Sequence, residues 1–265
     1  MNIYKISKKE ILLNLNNKWI LFSAVFFLMI NLTIIYFNDF ISGDYSQTDN
    51  KSLSLSIIHL EMYIIPLLSF ILSYDSILYE KENGTLDLIL SYIIKFSDIF
   101  FGKLLGNSTV FAMSVIIGFS PIAIYLNFFG INLSSLIKFL FFSIWLNIIF
   151  TFFSLIISNF SKDRTIVILM SIFIWLFFVF IYDIIFILLT TFLYGLIDTN
   201  FLSIILFLNP AELFRMISIF NFMPNDAVEL FGIKSGLLNI IYIYFAMFIW
   251  LFLIIIISIF YCKKR

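Results

Sequence analysis

Long apolar runs recur along this chain and are separated by short polar stretches. The runs carry almost no charge and do not alternate apolar with polar positions, so they are typical of membrane-spanning helices and unlike the strands of a membrane barrel. An α-helix needs about 20 apolar residues to cross the hydrocarbon core of a bilayer. The pattern therefore predicts an all-α polytopic membrane protein with six spans, at about 19–37, 57–79, 104–127, 136–158, 166–194 and 237–260.

The segment before the first span, residues 2–18, is amphipathic. Apolar residues recur at helical spacing, and lysines and an asparagine fill the other positions. This pattern favours a short helix in the plane of the membrane surface, with a simple basic anchor as the alternative. The predicted apolar face consists of Ile3, Ile6, Ile11, Leu12 and Leu15.

Two polar segments are predicted on the outer side of the membrane. Residues 38–56 predict a loop, and residues 195–236 predict a longer segment with short helices between spans five and six. In the longer segment Pro210 follows Asn209, which favours a helix start with Asn209 as the N-cap and Glu212 in the first turn. We expect this helix to be amphipathic and to lie at the outer surface.

Composition supports the membrane assignment and adds few further constraints. Hydrophobic residues make up 62% of the 265 residues and charged residues 12%, whereas soluble domains carry about 25% charged residues. No polar linker divides the chain, so we expect one transmembrane domain, 1–265. The formal net charge is zero and so indicates nothing about partners. We expect contact with membrane lipid and no nucleic-acid partner. The single cysteine, Cys262, excludes a disulfide framework within the chain.

Lysine and arginine residues determine the predicted orientation. With a cytoplasmic N-terminus, twelve of the 16 Lys and Arg residues fall on the cytoplasmic side. The opposite orientation would place these cationic loops on the wrong side. We therefore expect a multi-pass protein of the bacterial inner membrane with both termini in the cytoplasm and no cleaved signal peptide. The four cationic residues predicted outside are Lys51, Lys138, Arg215 and Lys234.

The loop between spans two and three is the most informative stretch. Span two ends in the charged run 80–83, and Gly84 permits a turn that residues with a β-carbon resist. Thr85 can cap a new helix, with Asp87 near its electropositive N-terminus. Lys103 then marks the entry to span three. The pattern predicts a short helix across the cytoplasmic face that offers a surface to a cytosolic partner, with Leu86, Ile89 and Leu90 on its apolar face.

This loop resembles the coupling region of type-2 ABC exporter permeases. The shared pattern is Glu-x-Glu-x-Gly-Thr-Leu-Asp-Leu-x-Leu-Ser at 80–91, followed by Gly-Lys at 102–103. Six spans, an interfacial N-terminal helix and a long outer segment also agree with that family, over essentially the whole chain. The sequence is more closely similar to the NosY-type permeases of the nitrous-oxide reductase maturation system, through Pro66-Leu67-Leu68, Tyr74-Asp75-Ser76-Ile77, Leu90-Ser91-Tyr92, Ser161-Lys162-Asp163-Arg164, Tyr182-Asp183, Leu208-Asn209-Pro210-Ala211 and Phe214-Arg215.

The resemblance implies a non-catalytic permease that forms a homodimer and binds two copies of a cytosolic ABC ATPase and a periplasmic maturation protein. ATP and Mg would be bound by the ATPase, so no cofactor is expected in this chain. The implied ATPase-docking residues are Glu80, Glu82, Gly84, Thr85, Leu86, Asp87 and Lys103. Contact with the periplasmic partner is assigned to Asn209, Pro210, Glu212 and Arg215, with pairing to Glu212 or to headgroups as the alternative for Arg215.

Three acidic residues lie within the predicted spans, where a charge is costly. We expect Glu61 near the outer headgroups, Asp75 within reach of water or Lys81, and Asp183 toward the outer surface. For each of them, helix packing or an interface is favoured over substrate binding. Asp183 is the candidate for the interior of a dimer.

Neither copper binding nor catalysis leaves a signature in the chain. A copper path through a membrane protein uses clusters of Cys, Met or His, whereas this chain has His59, Cys262 and 8 scattered methionines. We expect no metal site here, and any copper ligands to belong to a partner. Because no glycine-rich phosphate loop is present, ATP hydrolysis requires another chain. The alternatives are an exporter permease for a lipid or small toxic molecule, a secondary transporter, and a membrane scaffold without an ATPase.

Overall fold

Helices make up nearly all of the described structure. The computed structural model describes residues 2–15, 18–42, 47–91, 95–128, 130–192, 199–224 and 240–263, and no strand occurs within these ranges. The described helices that are long and apolar enough to cross a membrane are Ile20–Phe37, Lys51–Glu82, Phe96–Phe128, Leu133–Phe160, Arg164–Phe192 and Ile240–Ile259. The prediction of an all-α protein with six spans is confirmed.

The helices are numbered here in chain order. A π-helical turn, Phe177–Ile181, joins α8 to α9 within span five. The α-helices are α1 (Asn2–Leu15), α2 (Lys18–Ser42), α3 (Gln47–Ser73), α4 (Leu78–Glu82), α5 (Thr85–Ser91), α6 (Phe96–Phe128), α7 (Leu133–Phe160), α8 (Arg164–Leu176), α9 (Tyr182–Phe192), α10 (Thr199–Phe207), α11 (Pro210–Phe222) and α12 (Ile240–Lys263).

Spans two, three and four form the centre of the bundle. Half or more of the residues in the most apolar 18-residue stretch of each are buried, whereas the share is only 22% in spans one and six and 6% in span five. Aromatic side chains fill much of the interior. The ring centroid of Phe139 in α7 lies 5.2 Å from the ring centroids of Phe119 (α6) and Phe222 (α11), and 5.6 Å from that of Phe214 (α11). Phe139 therefore joins three helices.

Glycines of α6 allow α1 and α2 to approach its backbone. A β-carbon at Gly106 would lie 2.5 Å from Cβ of Glu10, and one at Gly118 would lie 2.3 Å from Cβ of Phe27. Real β-carbons do not tolerate such distances. Small residues permit close helix contact in membranes, where dispersion contacts replace the hydrophobic effect as the driving force.

A buried asparagine connects the three central spans. The Asn147 side-chain oxygen accepts hydrogen bonds from the hydroxyls of Ser69 (3.2 Å) and Thr151 (3.0 Å). Its amide donates to the carbonyl of Ser108 at 2.9 Å. Because no water is available in a bilayer core, polar side chains there must find protein partners, and Asn147 thereby links α3, α6 and α7.

Two predicted segments differ from the structure. The loop predicted at 38–56 is largely helical, because α2 continues to Ser42 and α3 begins at Gln47. The predicted apolar face of α1 is divided: its isoleucines are half-buried, whereas Leu12 and Leu15 are exposed. Ser7 and Glu10 are buried in their place, beside Gly106 of α6, so the face of α1 that packs against α6 is partly polar. A helix is present where the interfacial segment was predicted, and its place in the membrane plane stays a prediction.

Candidate functional site

The segment between spans two and three forms a compact unit of two short helices, α4 and α5, joined at Gly84. Gly84 has φ +66°, and a β-carbon there would meet nothing within 4 Å. The glycine is therefore required by the backbone conformation and not by crowding. The Thr85 hydroxyl donates to the Glu80 carbonyl at 3.1 Å and closes the turn toward α4. The predicted turn and the helix after it are confirmed, but Thr85 is the first residue of that helix and its hydroxyl bonds back to α4 instead of capping α5.

Helix α5 has one anchored side and one exposed side. Leu86 is buried, and Ile89 and Leu90 are half-buried against the same core. Asp87 and Leu88 face outward. The helix therefore presents a carboxylate beside an apolar side chain on a fixed support, which suits contact with another protein.

The end of α7 holds α4 in place. Span two breaks between Ser73 and Leu78, and the Ser158 hydroxyl accepts hydrogen bonds from the amides of Ile77 (3.3 Å) and Leu78 (3.1 Å). The break would otherwise leave these amides without helical partners. The Lys81 ammonium donates to the carbonyl of Asn159.

A buried ion triad joins the α4–α5 unit to α1 and α6. The Lys103 ammonium lies 2.8 Å from Oε1 of Glu10 and 3.0 Å from Oε1 of Glu80, and the three side chains are at most one-tenth exposed. Lys9, which is more exposed, lies 3.8 Å from the same Glu80 oxygen. A buried charge needs close partners to offset its desolvation, so this triad fixes three helices relative to one another.

A second set of ion pairs lies nearer the solvent. The Arg164 side chain at the start of α8 lies 2.7 Å from Glu82 and 3.7 Å from Asp75. Asp75 was expected to reach water or Lys81. Its side chain is 29% exposed and so reaches water, and its cationic partner is Arg164 and not Lys81, because the break in span two brings it beside α8. The ends of spans two and five are thereby connected.

The predicted docking residues divide into two groups. Glu82, Gly84, Thr85 and Asp87 are exposed, whereas Glu80, Leu86 and Lys103 are buried. The buried residues support the unit from behind, and docking through the exposed ones stays a prediction. A cleft of about 1300 Å³ beside the unit has a charged rim formed by Lys81, Glu82, Asp87, Lys95, Asp98 and Lys162.

The outer segment folds back into the bundle. Helices α10 and α11 meet at a bend of 106°. The predicted N-cap is confirmed, since the Asn209 side-chain oxygen accepts from the Ala211 amide at 2.9 Å. The short helices predicted between spans five and six are present, but α11 is buried along most of its length instead of lying on the surface. It packs against α3, α7 and α12.

The polar residues assigned to a periplasmic partner make contacts within the chain. Glu212 is fully buried and pairs with Arg215, whose guanidinium also lies 3.7 Å from Asp183 of α9. Asn209 and Pro210 are likewise buried. This arrangement connects α11 to span five, and contact with a partner through these four residues stays a prediction.

Glu61 does not reach the outer headgroups as expected. It is fully buried, and one of its oxygens accepts a hydrogen bond from the Ser143 hydroxyl of α7 at 2.6 Å. Sequence reasoning missed this pair, as it missed the partnership of Lys103 with Glu10, because the partners are 82 and 93 positions apart. The signal that could have indicated such pairs is the presence of isolated polar residues inside the apolar runs, such as Glu61 in span two and Ser143 in span four.

Comparison with known proteins identifies the class. The family model of the ABC-2 family transporter proteins matches residues 4–262, and the chain therefore belongs to that family. It is 28% identical over 226 residues to the probable ABC transporter permease protein NosY of Stutzerimonas stutzeri, across 83% of this chain and 82% of that protein. It is 26% identical over 226 residues to the protein of the same name from Pseudomonas aeruginosa, with the same coverage. The chain is thus an ABC transporter permease subunit related to NosY.

Proposed function

We propose that this permease docks its ATPase through the exposed side of the α4–α5 unit and serves the maturation of nitrous-oxide reductase. The observation that carries the docking part is the geometry of α5. Asp87 and Leu88 project from α5, which follows α4 directly. Through the Glu10–Lys103–Glu80 triad, Ser158 and Arg164, α4 is connected to α1, α6, α7 and α8. If the ATPase displaces the α4–α5 unit, these contacts should move the connected helices with it.

In this proposal, closure of two ATPase subunits moves residues 84–95, and spans two and five shift in response. The ion pairs of Arg164, at the start of span five, with Asp75 and Glu82 of span two support such a linkage. On the far side, Arg215 joins α9 to α11, so a shift of span five reaches the outer segment. That segment then changes the surface offered to a periplasmic protein.

Span five supports the proposal of a homodimer. Only 6% of its most apolar window is buried in the single chain, and large side chains such as Phe173 and Ile187 are exposed along it. A second copy and lipid together would cover this face. We also propose that both termini lie in the cytoplasm, on the side of α4 and α5, and the distribution of Lys and Arg supports this orientation.

The docking proposal is tested by co-purification of a cytosolic ABC ATPase co-expressed with this permease. Gly84→Val forces a β-branched residue into positive φ, which such residues resist, and should abolish ATPase recovery while membrane insertion persists. Gly130→Val is the matched control, because Gly130 also has positive φ (+89°) with open space around it but lies at the other end of α6. Equal recovery with the two variants would contradict docking at α4–α5.

The maturation role rests on the similarity to the two NosY proteins. A host that respires nitrous oxide and lacks its own permease should regain copper-loaded reductase when it expresses this chain with its ATPase. The measurement is the copper content and visible spectrum of the purified reductase. A normal reductase in the strain without the permease, or no recovery with it, would contradict the role and favour an exporter for a lipid or small toxic molecule.

A further inference from the structure

Helix α1 has an exposed side that combines apolar and cationic residues. Tyr4, Leu12 and Leu13 are 72%, 55% and 57% exposed. Lys5 and Lys8 are also exposed. A helix that presents large apolar side chains next to lysines is typical of segments that lie on an anionic membrane surface. Water alone would be a poor neighbour for this much apolar side chain.

The charge of α1 favours an anionic ligand. Its one acidic residue, Glu10, is buried against Lys103 and therefore does not offset the exposed lysines. The exposed side is cationic, and because α1 precedes the first span we expect it at the membrane surface. Phosphate groups of anionic phospholipids lie at that level, and each lysine near such a surface contributes roughly a fivefold gain in binding.

The opposite side of α1 packs against α6 and is connected through Lys103 to the α4–α5 unit. Gly106 lets α1 contact the α6 backbone, and the Asn14 amide donates to the Asn107 side chain at 2.7 Å. Lys103 then connects Glu10 of α1 to Glu80 of α4. A ligand that fixes α1 in position therefore restricts α4, and with it α5.

We propose that α1 binds anionic phospholipid headgroups through Lys5 and Lys8, and that this contact steadies the α4–α5 unit through Glu10, Lys103 and Glu80. The consequence for ATP turnover rests on the proposed docking function. Lipid binding and the steadying of α5 do not depend on the ATPase, so they can be measured on the permease alone.

The experiment compares amide hydrogen exchange of the full chain in nanodiscs of phosphatidylcholine with and without phosphatidylglycerol. Amides at 85–91 should exchange several-fold more slowly when phosphatidylglycerol is present, because local opening is suppressed. Inorganic phosphate added to phosphatidylcholine discs should have no such effect. Equal exchange in both discs, or protection by inorganic phosphate alone, would overturn the proposal.

Three variants separate lipid binding from its transmission. Lys5→Gln with Lys8→Gln should reduce retained phosphatidylglycerol in native mass spectrometry roughly 25-fold and remove the protection of 85–91. Lys138→Gln, which removes an exposed lysine at the other end of the bundle, should behave like wild type. Glu10→Gln should retain the lipid and lose the protection. A double variant that keeps full lipid-dependent protection would also overturn the proposal.

A second readout uses the complex with its ATPase. ATP turnover of the wild-type complex should rise several-fold with phosphatidylglycerol, and the Lys5/Lys8 variant should lose this rise while still binding the ATPase. If no ATPase binds the wild type, the docking function fails. The hydrogen-exchange result then still decides whether α1 responds to anionic lipid.

Discussion

The side-chain amide of Asn209 donates to the main-chain carbonyl of Phe178 at 2.7 Å. The same side chain accepts the amide of Ala211 at 2.9 Å. One residue therefore caps α11 and also satisfies a carbonyl in the π-helical turn of span five, where the hydrogen bonding departs from the α-helical pattern. The re-entrant outer segment and span five share this connection.

Asn209→Ala should lower the free energy of unfolding by about 2 kcal/mol, since it removes a cap and leaves a buried carbonyl without its donor. Asn209→Ser should lose only about 1 kcal/mol, because a serine hydroxyl can still cap. Thermal unfolding in detergent measures both. Asn132→Ala is the control, because Asn132 stands at the N-cap of α7 without a side-chain cap bond. Equal losses at 209 and 132 would contradict the double role.

Lys103→Met should destabilise the protein by about 3–5 kcal/mol, because it leaves the buried Glu10 carboxylate without a cation and leaves Glu80 only Lys9, at 3.8 Å. Adding Glu10→Gln and Glu80→Gln should recover most of that loss, since the carboxylates are then neutral. Lys95→Met, at an exposed position, serves as the control. The measurement is again the unfolding transition in detergent. If the triple variant is no more stable than Lys103→Met, the loss does not come from carboxylates deprived of their cation.

Features that depend on residues close together in the chain could be predicted from the sequence, whereas features that depend on contacts between distant helices could not. Apolar runs located the spans, and Gly84 and Asn209 located a turn and a cap, because each effect acts within a few residues. The burial of α11 could not be predicted, since its polar residues Glu212 and Arg215 neutralise each other only after folding. The same holds for Glu61, whose hydroxyl partner lies on another helix.

Gly118→Ala should cost about 1–3 kcal/mol, because the new β-carbon would overlap Phe27 and force α2 away from α6. Ser120→Ala changes an exposed residue two positions along the same helix and should be nearly neutral. The two melting curves in detergent check this difference. Similar melting temperatures would mean that α2 and α6 do not pack as closely as described.

Phe173→Cys in a Cys262→Ser background should form a disulfide-linked dimer when membranes are oxidised, because Phe173 lies on the bare face of span five. Phe248→Cys is the matched control, since Phe248 is an equally large exposed residue on α12. Gel electrophoresis without reductant measures both. Dimers formed through 248 and not through 173 would place the second copy against span six.

Span five has almost no hydrophobic reason to keep one particular neighbour. Lipid tails and apolar side chains are equivalent surroundings for it, so exchanging one for the other costs little. The contacts that hold it include directional polar ones, from Trp175 to the Tyr63 carbonyl, from Asn209 to Phe178, from Arg164 to span two and from Arg215 to Asp183. These directional contacts, more than the apolar surface around them, determine where span five sits, so single polar substitutions there should be enough to change its position.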